Sequence, residues 1–469
     1  MNARLAFAII SSACWSAFQH GYNTGVLNAP QAVMSEWLQK DALSNTNSSL
    51  AAQKDPKVTT MWSIAVSVYC VGGMIGGVLT GLIADRLGRK GGLLANNIFV
   101  FAGAACEGSA KAANSAILLV VGRLLVGINS GLNAGLAPLY LSEISPVALR
   151  GSIGCVYQLV ITISILVSQV LGLSGALGSA ERWPYLLAVS AIPAVIQCLT
   201  LPLCPESPKY LLLNKGQELH AQRALNWLRG DVAVHGEMEE MHQEAEKNKV
   251  SKKVTLRELF FNRQLRQPLI IAMVVMISQQ LSGINAVIFY STDIFLKVNL
   301  GEKQSQYATL GMGAMNVLMT VLSLMLVERA GRKLLLLVGF GGMLLCTVGL
   351  CVANLYTYIT WVSYLCIVLV ILFVVMFAVG PGSIPWFLVT ELFNQASRPA
   401  ASAVAVTVNW MANFIVGLGF LPLSLILGTN VFIIFAALHL LFIIFIYFKV
   451  PETKNKTVEE ITAMFRQQM

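Results

Sequence analysis

DRLGRK at residues 85–90 and ERAGRK at residues 328–333 are nearly the same hexapeptide, 243 positions apart, and each closes an apolar stretch. Further pairs keep almost the same interval. Glu143 and Arg150 in SEISPVALRG have counterparts 248 residues on, Glu391 and Arg398 in TELFNQASRP, and PESPK at 205–209 is answered by PETK at 451–454. Charges that recur at a constant interval, always at the end of an apolar run, mark a duplicated membrane half with a ring of charge on one face. Two such bundles around a shared cavity suit alternating access.

The chain holds 469 residues, 56% hydrophobic and 12% charged, about half the ~25% charged share of a soluble domain. Apolar runs long enough to cross ~30 Å of hydrocarbon as helices fall near 5–28, 60–84, 91–112, 117–141, 152–176, 183–204, 268–292, 304–327, 334–356, 360–388, 401–424 and 430–448. The expected fold class is an all-α membrane protein with twelve transmembrane helices. Its parts are a six-helix half over 1–204, a linker of short cytoplasmic helices over 205–267, a second six-helix half over 268–449 and a cytoplasmic tail over 450–469. The first span starts almost at Met1 and leads into others, so no cleaved signal peptide is expected.

With both termini placed inside, 24 of the 32 basic residues fall in cytoplasmic segments and eight outside, the positive-inside asymmetry. The net charge of +9 then orients the chain against anionic lipid. The basic residues form no single stripe, and no nucleic-acid partner is expected. Asn47-Ser48-Ser49 is a sequon in the longest outer loop, 29–59, so Asn47 is a candidate glycosylation site, while a second sequon at Asn455 falls inside. Nine cysteines lie in or beside spans without CxxC spacing, which gives no reason to expect a disulfide framework, a metal site or a cofactor.

In the linker, Ser207-Pro208 reads as an N-cap with proline at the first helical position, Leu219, Leu225 and Leu228 give a partial apolar face, and Thr255 with Glu258 forms a capping box repeated by Thr457 with Glu460. Gly73, Gly77 and Gly81, and Gly127, Gly131 and Gly135, recur at intervals of four and predict close helix contact. In Gly380-Pro381-Gly382-Ser383-Ile384-Pro385 two prolines remove donors and clash with the preceding turn, so the helix must break or bend there. Gly135 and Pro138 stand 247 residues earlier as a milder counterpart. Paired interruptions point to a binding site or a hinge near mid-membrane; a rigid packing kink is the other reading.

Gln158, Gln169, Gln279, Gln280, Asn285, Asn316, Asn409 and Asn413 fall well inside predicted spans, and Asn23 and Thr24 lie in the first. Buried amides are costly without partners. They donate and accept, as sugar hydroxyls do, and Trp386 and Trp410 offer flat faces to a pyranose ring. A single amide is readily helix glue. Gln279, Gln280 and Asn285 in one helix are harder to explain that way, the first two pointing about 100° apart into one cavity.

A proton-driven carrier needs an ionisable group at membrane depth. Glu107 and Asp293 sit toward outer ends and His20 and His439 stand alone, so passive transport is expected. Glu143 and Arg150 are seven residues apart and are expected to pair with the clusters at Arg86, Arg89, Arg329 and Arg332 as an inner gate, against the plainer reading of topology-setting charge.

GYNTGVLNAP (21–30), GRLLVG (122–127), PESPK (205–209), QQLSGINAVIFYS (279–291), VERAGRK (327–333), GPGSIPWFLVTELF (380–393), NWMANFIVG (409–417) and VPETKNKT (450–457) span the chain. On these motifs it resembles the facilitative glucose transporters, in the sugar porter branch of the major facilitator superfamily. The resemblance implies sugar contacts at Gln158, Gln279, Gln280, Asn285, Asn316, Trp386 and Asn409, with Trp410 a neighbouring aromatic and Tyr290 in the outer gate. It assigns Arg86, Arg150, Glu206, Glu328, Arg332, Glu391 and Arg398 to the inner charge network. Proton-coupled relatives carry aspartate where this chain has Asn23. Departures from the family pattern are Met276-Ile277-Ser278 in place of Gln-Leu-Ser and Ala378 in place of a glutamate, while Trp386 favours glucose over fructose.

The expected activity is facilitative, uniport transport of a hexose, most simply D-glucose, across the plasma membrane, with a monomer as a sufficient unit. A proton–sugar symporter, a fructose or mixed hexose carrier and a non-transporting sugar sensor are the alternatives. Few residues follow the last span, which argues against the sensor, and no nucleophile–base pair or phosphate loop points to an enzyme.

Overall fold

Gly88 and Gly331 set the architecture of the two halves. Each has a positive φ (79° and 88°), and each separates two long helices at the repeated hexapeptide. The computed structural model describes residues 1–42, 55–146, 149, 153–250, 254–297, 300–356, 358–393, 397–454, 456 and 458–468. Asn47 and Arg150 lie outside these residues, as do the side chains of Glu328 and Arg398.

Among the described residues all regular structure is helical. The first span joins Ala3–Ile9, a π-helical turn Ile10–Cys14 and Trp15–Gly25; the second and third run through Pro56–Ser109 on either side of Gly88. The fourth is Ala116–Ile144, the fifth Val156–Leu171, and the sixth Trp183–Ala188, Ala191–Thr200 and Leu201–Leu203. The second half repeats the pattern with a seventh span in two pieces (Arg263–Leu281, Ile284–Lys297), an eighth Glu302–Ala330 and a ninth Arg332–Ala353. A tenth, also in two pieces (Thr360–Val379, Ile384–Leu392), an eleventh Arg398–Leu427 and a twelfth Val431–Lys449 complete it. Among the described residues the twelve expected passes are present, six in each half.

The glycines act by admitting backbone. The second span carries two Gly-Gly doublets. Gly72 and Gly76 lie against the backbone of the fourth span at Leu124–Ile128 and Ile128–Leu132, while Gly73 and Gly77 turn to the eleventh span, at Trp410 and at Val406 and Thr407. At Gly81, one turn on, open space replaces the partner. One helix thus packs inside its own half on one face and across to the other half on the next.

Polar side chains tie the spans together. At the π turn of the first span, Gln197 of the sixth donates to Ser12 O (2.8 Å), which also accepts from Trp15 N, and to Ser16 Oγ (2.8 Å). Gln19, Asn96, Asn97, Asn129 and Asn133 form an amide ladder through the first, third and fourth spans, with Asn96 Nδ2 donating to Asn133 Oδ1 at 2.9 Å and Gln19 Nε2 to Asn97 Oδ1 at 3.3 Å.

The linker folds as the Tyr210–Asn214 turn, Glu218–Leu228, His235–Val250 and Leu256–Phe261. It has its own small core of Leu212, Ala221, Leu225, Val234, Met238 and Met241. Leu225 and Leu228 are buried as expected, but Leu219 is exposed, so the apolar face is narrower than the sequence implied. Thr255 caps its helix by accepting from Glu258 N (3.3 Å). Both chain ends reach this region: Asn2 Nδ2 donates to Leu228 O (2.9 Å) and Gln267 Nε2 to Gln468 Oε1 (3.1 Å).

Candidate functional site

Two interrupted helices face each other in the second half. Pro385 has no N–H for the Pro381 carbonyl four residues back. Gln279, from the seventh span, donates there instead, its Nε2 lying 3.0 Å from Pro381 O and 2.8 Å from Gly382 O. Its Oε1 accepts from Asn409 Nδ2 (2.8 Å), and Gln280 Nε2 donates to Asn409 Oδ1 (3.1 Å). Gln280 Oε1 accepts from Asn285 across the break at Gly283. Gln279, Gln280, Asn285 and Asn409 are thereby one buried, hydrogen-bonded cluster, with Gln279 turned to the tenth span and Gln280 to the eleventh.

The other predicted contacts are not hydrogen-bonded into that cluster among the described residues. Asn316 is buried, and Gln158 and Trp386 are half-buried. Trp410 is seated in the first half: its ring centroid lies 5.4 Å from that of His20 and 5.6 Å from that of Tyr69, over Gly73. His20 Nδ1 is 3.0 Å from the hydroxyl of Tyr157, beside Gln158. A cluster of uncharged amides with aromatic neighbours can exchange hydrogen bonds with a neutral polyol and has no formal charge to offer an ionic ligand.

The repeated charges build two equivalent turns. Glu206 accepts from the backbone amides of Arg89 (3.1 Å) and Lys90 (3.0 Å), and Glu452 accepts from those of Arg332 (2.9 Å) and Lys333 (3.1 Å). Each carboxylate caps the helix that starts after the positive-φ glycine, where backbone donors and the helix dipole favour an anion. Arg89 pairs with Glu143 at 2.9 Å and Arg332 with Glu391 at 3.0 Å. Ser207 Oγ donates to Glu143, as Thr453 Oγ1 does to Glu391.

Glu143 thus pairs with Arg89, one of the partners expected for it. Ser207, Glu452 and Thr453 were not among the site residues read from the sequence; the offset of 246 residues from Glu206 to Glu452 was the available signal. Arg86 is exposed and makes no ion pair among the described residues. Every ion pair found there stays within one half, within the linker, or between the first half and the linker. Arg89–Glu143 and Arg332–Glu391 clamp helices inside each half.

The halves touch elsewhere. Asn28 donates to Ser291 Oγ between the first and seventh spans, and Gly313 of the eighth faces Gln169 and Leu166 of the fifth. In the second half the Tyr290 hydroxyl donates to Gly417 O (3.1 Å) and its ring stacks on Phe420 (5.5 Å).

One buried cation was missed in the sequence. Arg123 is buried in the fourth span, where it donates to Asn23 O (3.0 Å) and lies 4.6 Å over the Tyr69 ring. Glu107 on the third span is fully buried, and among the described residues neither of its oxygens has a hydrogen-bond partner and no ion pair joins it to Arg123. Hydropathy hides Arg123, a single charge in an apolar run, whereas the sequence already places Glu107 toward an outer end.

The sugar (and other) transporter family profile matches residues 9–465. The chain is 46% identical over 468 residues to solute carrier family 2, facilitated glucose transporter member 1 of Gallus gallus, covering 100% of this chain and 94% of the relative. It is 45% identical over 472 residues to member 3 of Canis lupus familiaris, with the same coverage. Among solved structures, the proton:xylose symporter XylE bound to 6-bromo-6-deoxy-D-glucose superposes with a TM-score of 0.82 at 24% identity, covering 99% of this chain and 100% of that one. This last likeness concerns the fold alone.

Proposed function

The chain belongs to the sugar transporter family, and from that premise we propose that it is a facilitative uniporter for a hexose, D-glucose first. The carrying observation is the uncharged cluster of Gln279, Gln280, Asn285 and Asn409 at the two broken helices. Its relatives among the facilitated glucose transporters favour the same substrate class. Sugar hydroxyls replace amide–amide bonds one for one, so binding is weak and release is fast, as flux requires.

The first half (1–204) and second half (268–449) rock about the cavity, with the 205–267 helices and the 450–469 tail on the cytoplasmic side. Gln158, Asn316 and Trp386 meet the sugar as the halves close, and Trp410 lines the seam. Arg86, Glu143, Arg150, Glu206, Glu328, Arg332, Glu391 and Arg398 form the inner charge network, and Tyr290 supports the outer gate. The carrier sits in the plasma membrane with both termini inside, Asn47 glycosylated outside, and one chain as the transport unit.

Reconstitution tests this reading. Liposomes carrying the purified chain should take up labelled glucose down its gradient, with galactose and fructose as competitors, and an imposed pH gradient should not drive accumulation. Vesicles impermeable to every hexose would refute the function, and pH-driven accumulation would replace uniport with symport.

A further inference from the structure

The break in the seventh span has a support on the twelfth. Ser282 ends the helix Arg263–Leu281, and Gly283 follows with a φ of 94°. No backbone amide among the described residues reaches the Ser282 carbonyl, an orphan acceptor of the sort every helix C-terminus leaves. His439 meets it: Nε2–H donates to Ser282 O at 2.8 Å.

The imidazole is fully buried, between the rings of Phe340 (centroids 6.4 Å apart) and Phe373 (5.8 Å). A polar ring in such a wall is costly unless bonded. Its other nitrogen lies 3.5 Å from Thr347 Oγ1, whose proton goes to Met343 O. One turn before His439, Phe435 covers Gly283 itself: a Cβ on Gly283 would stand 3.1 Å from Phe435 Cδ1. The twelfth span therefore holds the break twice, by a hydrogen bond and by a ring.

The break separates Gln279 and Gln280 from Asn285, which donates back across it to Gln280. We propose that His439 is a positioning residue for the sugar site, fixing the angle between the two pieces of the seventh span and so the register of Gln280 against Asn285. This rests on the hexose reading above. His439 touches no sugar and acts through the Ser282 carbonyl.

The test compares full-length wild type, His439→Phe and His439→Gln in liposomes, with initial glucose uptake measured across concentration. Phenylalanine keeps a ring of similar volume but no donor. An unsatisfied buried acceptor at the break should raise KM about tenfold. Maximal rate should change much less, the pattern of lost site geometry. Glutamine keeps an N–H and should recover most of the wild-type KM.

A wild-type KM in His439→Phe, or an equal rise in both variants, would overturn the positioning role and leave packing. If the phenyl variant does not fold, His439→Leu against His439→Gln supplies the same contrast. Wild-type vesicles that take up no hexose overturn the sugar reading and this inference together; normal wild-type uptake with unchanged variant KM overturns the His439 role alone.

Discussion

Gln279 donates to the Pro381 carbonyl, the acceptor that Pro385 leaves without a backbone partner. One amide thus stitches the seventh span to the break in the tenth, while its own oxygen holds Asn409. Gln279→Leu should strand the Pro381 and Gly382 carbonyls and one N–H of Asn409, whose amide keeps Met276 O (3.1 Å) and Gln280, at about 2 kcal/mol for buried groups left unpaired. Thermal unfolding in detergent should show a lower midpoint, and glucose uptake should fall at least tenfold. A variant with wild-type stability would mean that water replaces the side chain at no cost.

Glu206 and Glu452 perform the same task 246 residues apart. Their replacement by alanine should therefore give similar losses, even though Glu452 lies at the start of the last soluble segment. Uptake per folded molecule measures this, alongside cysteine accessibility on the linker face. Gly88→Ala and Gly331→Ala should be worse than either, because each new Cβ would lie 2.6 Å from the capping carboxylate on a backbone of positive φ. Full activity in Gly331→Ala would show that the turn relaxes.

The duplication was legible because charge is rare in this chain, so a repeated DRLGRK and ERAGRK stand out against apolar background. The tenth-span break was legible because two prolines cannot both sit in a continuous helix. The seventh-span break was not, since Ser282-Gly283 carries no proline and a glycine inside a span usually means close packing. Which partner each charge takes was less legible, for a different reason. Offsets reveal which residues are equivalent, but equivalence says nothing about whether a pair forms within a half or between halves; Arg89–Glu143 and Arg332–Glu391 both form within.

Arg123 and Glu107 are charges with unequal support. Arg123 has the Asn23 carbonyl and the Tyr69 ring, while Glu107 has no hydrogen bond. Arg123→Leu should leave the buried Asn23 carbonyl without this donor and remove the cation beside Glu107, at about 2 kcal/mol for a buried acceptor left unpaired. Glu107→Gln should be mild, and the double variant Arg123→Leu/Glu107→Gln should regain part of the loss of Arg123→Leu. Detergent thermal shifts of the four proteins form a double-mutant cycle; strict additivity would deny the coupling.

Trp410 belongs to the second half but its ring rests on Gly73, His20 and Tyr69 of the first. A side chain at residue 73 would occupy the seat of the indole, so Gly73→Leu should hold the halves apart and lower maximal uptake about tenfold, within the range for overpacking a close contact. Trp410→Ala should lower the rate while shifting KM little, because the ring is engaged by helices in this conformation. Combining Gly73→Leu with Trp410→Ala should recover rate relative to Gly73→Leu alone, since the smaller side chain frees the space the leucine needs. A large KM rise in Trp410→Ala with unchanged maximal rate would instead make the indole a sugar contact, and the seam between the second and eleventh spans would then owe its closure to Gly77 against Val406.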